Sequence, residues 1–125
     1  MADALGLRTV DEHDVVLVDV RDLDPAEAEF LATSAIRVVP LDAIPVPDGP
    51  IYLHLDVDVT DPELVPGLMF PAPDGPQLGA VGKAVAELVA TGRVVAVALA
   101  CTWRPGSGGS TAVAETLTEH LGPLL

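Results

Sequence analysis

Residues 51 to 59, Ile51-Tyr-Leu-His-Leu-Asp-Val-Asp-Val, decide the reading of this chain. The stretch predicts a strand whose alternation puts His54, Asp56 and Asp58 on one side and Leu55, Val57 and Val59 on the other. Two carboxylates at i and i+2 on a strand share a face about 6.5 Å apart, within reach of one metal ion or flanking a pair. Burying two adjacent charges in an apolar strand without a cation is costly, so the pair asks for a counter-ion. A plainer arrangement accounts for the same residues: one aspartate caps the turn after the strand and the other is solvated.

Outward from this strand, the pattern is one of strands alternating with helices. Val15-Val-Leu-Val is a short β-branched run expected to be buried on both faces. It hands over to a helix at Asp24-Pro25, where the aspartate caps and proline takes the first helical position. Ile36 to Val39 is a second short strand, followed by a proline-rich connection from Pro40 to Pro50. Residues 61 to 76 hold five prolines and two glycines, a long loop leaving the strand that carries the carboxylates. A helix is predicted over Gln77 to Ala90, with Leu78, Val81, Val85 and Leu88 on one stripe. Val94 to Cys101 is a wholly apolar strand, expected to be central, and Thr111 to Leu121 a terminal helix. The architecture implied is α/β, a parallel β-sheet with flanking helices and ligands beyond the C-terminal strand ends.

Composition bounds the partners. A length of 125 residues suits one modest core, and the aromatic content of 3% leaves Val, Leu, Ile and Ala to build it. A formal net charge of −13, with Lys83 as the only lysine, disfavours nucleic acid and anionic membranes. It leaves cations, cationic small molecules and basic proteins as partners, although acidity also serves solubility. The single cysteine, Cys101, excludes an internal disulfide and points to a reducing, cytoplasmic setting. The segment Met1 to Leu7 has neither a basic region nor a long apolar stretch. Residues 106 to 110 lack the lysine and the spacing of the glycine-rich phosphate motifs, which removes nucleotide binding.

Pro50-Ile-Tyr-Leu-His-Leu-Asp-Val-Asp-Val-Thr-Asp-Pro resembles the last metal-binding strand of the arginase and agmatinase (ureohydrolase) family, which ends in Asp-x-Asp-x-x-Asp-Pro. The resemblance implies Asp56 and Asp58 as manganese ligands, Asp61 and Pro62 shaping the exit turn, and Pro66-Gly67 as the Pro-Gly of the following loop. Val20-Arg-Asp-Leu-Asp-Pro-Ala-Glu is similar to a second segment of that family, in the expected order. The whole of residues 1–125 then reads as one partial domain, resembling the C-terminal half of the family's three-layer αβα fold.

The departures bear on function. The family's upstream Gly-Gly-Asp-His and Asp-Ala-His-x-Asp ligand segments have no counterpart in this sequence. Leu99-Ala-Cys-Thr-Trp-Arg-Pro offers no carboxylate where the family carries a glutamate for the substrate guanidinium, and Leu68-Met-Phe-Pro replaces its Thr-Gly-Thr-Pro-like run. His54 is a candidate third ligand or base, against a core histidine satisfied by a polar neighbour. Cys101 is a candidate ligand, against a packed small hydrophobe. His13 and His120 are expected at the surface.

Three readings follow. In one, a second chain supplies the missing histidines and aspartates, completing a dinuclear manganese site that hydrolyses guanidino C–N bonds. In another, the chain is a non-catalytic degenerate relative acting as a metal-binding or assembly subunit. The third is different chemistry built on Asp56, Asp58, His54 and Cys101. Hydrolysis by this chain alone is not expected, and a homo-oligomer or hetero-complex is.

Overall fold

The computed structural model describes residues 6 and 9–122, and the readings made on Met1 to Leu7 and on Pro123 lie outside that range for all but Gly6. The chain divides into two compact units, Met1–Ile44 and Pro45–Leu125.

In the first unit a short 3-10 turn, Glu12–Asp14, leads into β1 (Val16–Val18), then α1 (Pro25–Thr33) and β2 (Arg37–Val39). β1 and β2 pair in parallel, Val16 beside Arg37 and Val18 beside Val39. The start of α1 follows from its sequence. Asp24 accepts the Glu27 amide at 2.9 Å while the Glu27 carboxylate accepts the Asp24 amide at 3.1 Å, a capping box with Pro25 just inside. The expected double burial of the first strand does not hold. Val15 to Val18 are only partly buried, because β1 has a strand on one side only among the described residues.

The second unit holds β3 (Ile51–Asp56), α2 (Leu78–Ala90), β4 (Val94–Ala100) and α3 (Gly109–Leu121). β3 and β4 are parallel and in register from Tyr52 beside Ala96 to Asp56 beside Ala100, with one irregularity after Ile51. Parallel neighbours need a crossover, and here it comprises the 61–76 loop and α2. α2 buries Val81, Gly82, Val85 and Leu88; of the predicted stripe, Leu78 is only partly buried, and Gly82 is added. That glycine has a packing reason: a Cβ on Gly82 would meet the His120 ring of α3 at 2.5 Å. His120 is therefore packed between helices and half-buried, not a surface residue.

Two further expectations change. The strand predicted to Val59 stops at Asp56, and Val57–Val59 is a 3-10 turn. The apolar strand β4 is not central, since among the described residues it pairs with β3 alone and leaves Val95, Val97 and Leu99 exposed. The core lies beyond the strand ends, where Val57, Val65, Leu68 and Val113 form one cluster with Leu78, Cys101 and Leu117 against it.

Candidate metal centre

The C-terminal end of β3 carries the carboxylates. Asp56 is its last residue and caps the following turn, accepting the Asp58 amide at 3.4 Å. The turn is held further by Thr60, whose fully buried hydroxyl donates to the Val57 carbonyl at 2.7 Å. Folding Val57 inward to 2% exposure drives this departure from the strand, because the apolar side chain joins the core beneath. His54 and Asp56 thus share a face of β3, whereas Asp58 reaches the strand end through the turn and not through alternation. Both aspartates are half-buried.

Cys101 follows Ala100, the partner of Asp56 across the sheet, and so comes to the same end of the parallel pair. Burial pushes its thiol above the ordinary value, and the negative charges of Asp56 and Asp58 push it further. A raised pKa keeps the sulfur protonated at neutral pH, which suits its packing against the core cluster and not a nucleophilic role. His54 is exposed, so the reading of a satisfied core histidine does not hold.

The two loops that leave β3 and β4 are clasped together. Leu68 bridges Trp103 in antiparallel fashion, the Met69 amide donates to the Thr102 carbonyl at 2.9 Å and the Arg104 amide to the Gly67 carbonyl at 2.8 Å. The Ser107 hydroxyl donates to the Pro66 carbonyl at 2.7 Å. Gly67 has φ +83°, and a Cβ there would collide with Ser107, so both the left-handed turn and the close approach need glycine. At the other end of the loop, the Asp61 amide donates to the Pro76 carbonyl at 2.9 Å, and the Asp61 side chain accepts the Glu63 amide at 3.0 Å. The proline-rich loop is thereby a fixed rim beside the aspartates. Sequence reasoning missed the clasp with Trp103 and Ser107, and the glycine at position 67 was the one local signal for it.

Chemically, the centre offers two carboxylates as hard oxygen donors, the type that suits manganese or magnesium. Among the described residues, no three His, Cys, Asp or Glu side chains are grouped closely enough to hold a metal ion. The donor set fits part of a metal centre.

The family model for the arginase family matches residues 1–105. The chain belongs to the arginase family. A curated relative, the N(omega)-hydroxy-L-arginine amidinohydrolase of Streptomyces lavendulae, is 37% identical over an alignment of 104 residues that covers 76% of this chain and 36% of that protein. Among solved structures, the arginase of Bacillus caldovelox superposes with a TM-score of 0.73 at 23% identity, covering 90% of this chain and 44% of its own. The formimidoylglutamase of Bacillus subtilis gives 0.74 at 18% identity, covering 91% and 42%. These likenesses place the fold as that of the arginases. The chain spans about a third of the curated relative and less than half of the solved arginase-family chains it matches. No helix among the described residues is long and apolar enough to cross a membrane.

Proposed function

We propose that this arginase-family chain contributes one carboxylate pair, Asp56 and Asp58, to a dinuclear manganese centre that hydrolyses guanidino C–N bonds, the remaining ligands coming from a second polypeptide in the cytoplasm. The observation that carries the reading is the position of the pair: it stands at the C-terminal end of β3, beside the end of β4, where parallel sheets place ligands. The amidinohydrolase relative supports the substrate class. Manganese, when bound, would supply an activated water. Asp56 and Asp58 would hold the ion, Thr60 and the Val57–Val59 turn would fix the direction of their carboxylates, and the clasped loops would form one rim of the substrate pocket. The missing histidines, and a carboxylate for the guanidinium in place of Leu99-Ala-Cys-Thr, fall to the partner.

The test is manganese titration by calorimetry, on the chain and on its Asp56→Ala, Asp58→Ala double variant. Weak but stoichiometric binding is expected in the first and none in the second. Equal behaviour of the two proteins would sink the reading and leave a non-catalytic assembly subunit. Urea release from the isolated chain is expected to be absent.

A further inference from the structure

In a chain of net charge −13, the clasped rim beside the carboxylates carries one charge, and it is positive. Residues 64–73 and 94–114, which take in both clasped loops, contain Arg104 and no other charged side chain. The other two cations of the unit Pro45–Leu125 face acids of the same unit, Lys83 towards Glu87 and Arg93 towards Asp48. Arg104 is exposed, and its backbone is fixed: its amide donates to the Gly67 carbonyl at 2.8 Å and Pro105 follows it.

Alternation sorts the residues at this strand end onto two sides. Val57, Leu68 and Cys101 turn towards the core cluster, and Trp103, which bridges Leu68, lies on their side. Asp56 and its partner Ala100 lie on the other side, and the same alternation brings Thr102 and Arg104 there, both exposed. From Ala100 to Arg104 is about 13 Å of extended chain, a span with room for a small molecule held at both ends.

We propose that Arg104 is a specificity-determining residue of the proposed centre, binding a carboxylate at the far end of the substrate and so selecting guanidino acids over guanidino amines. The inference rests on the reading of Asp56 and Asp58 as the guanidino end of the site. Arg104 repels a bare guanidinium, and a second cationic group on the ligand adds to the repulsion. A carboxylate reverses the sign and can accept two parallel N–H bonds from the planar guanidinium. The aspartates and Arg104 then orient a dipolar ligand, its cation inward and its anion at the rim.

The test compares 4-guanidinobutanoate with butylguanidine, which carries the same guanidine on a four-carbon chain without the carboxylate. Binding of each to the chain is followed in metal-free buffer by the amide shifts of residues 100–107, a readout that needs no turnover. The acid is expected to bind about fivefold more tightly, the size of an exposed ion pair. Arg104→Gln should abolish that preference without weakening butylguanidine, and Arg104→Lys should retain part of it, because it keeps the charge and loses the paired donors. Equal affinities in the unaltered chain, a preference that survives Arg104→Gln, or shifts from neither ligand would each overturn the proposal. A preference that depends on Arg104, in a chain whose manganese titration is the same with and without Asp56 and Asp58, upholds the anion subsite and removes the metal reading alone.

Discussion

Cys101 illustrates how one residue records its surroundings. Its thiol sits at the end of β4, partly buried, with the charges of Asp56 and Asp58 acting on it, and both burial and charge disfavour the thiolate. Because alkylation proceeds through the thiolate, iodoacetamide should modify Cys101 several-fold more slowly than free cysteine at pH 8, with the rate rising only at a pH above the ordinary thiol value. Asp58→Asn should remove part of the retardation and leave the part due to burial. A rate equal to that of free cysteine would show that the sulfur is neither desolvated nor faced by the carboxylates. The carboxylate pair was legible in the sequence from its i, i+2 spacing. Its geometry was not, because Val57 trades its strand position for the core and bends the chain under Asp58.

At the scale of elements, helices were legible where capping is local. Asp24, Pro25 and Glu27 lie within four residues and marked the start of α1 correctly. That helix buries no residue fully, so its cap bears more of its stability than a packed helix would need. Asp24→Ala should therefore cost about 1 kcal/mol, read as faster amide exchange across residues 25–33 and a lower denaturation midpoint. The start of α3 was misplaced by two residues for the opposite reason. It begins at Gly109, where a Cβ would strike the Pro66 carbonyl at 2.5 Å, and nothing in the neighbouring sequence announces that contact. The strand β4 was recognised from its apolar run, but a run of this kind does not say how many neighbours it has.

Over the whole molecule, acidity acts through self-repulsion. With −13 charges on 125 residues, self-repulsion opposes the compact state, and raising salt from 0.01 to 0.15 M shortens the screening length from about 30 to about 8 Å. The thermal midpoint should rise over that range, as followed by circular dichroism; a flat response would mean that the carboxylates are already compensated in pairs. Among the described residues, Lys83 with Glu87 at 3.7 Å and Arg93 with Asp48 at 3.5 Å are exposed contacts of small worth.

The sequence by itself determined the α/β class, the order of strands and helices, the capped start of α1 and the family likeness carried by Asp56 to Pro62, because periodicity, capping and short motifs are local properties of the chain. Only the tertiary structure decided that Asp58 stands on a turn, that Pro66 to Met69 is clasped to Thr102 to Ser107, that His120 packs against Gly82 and that β4 keeps a bare apolar face. These depend on which distant residues meet, and burial is settled by the whole packing arrangement, which a pattern of neighbours along one chain does not contain.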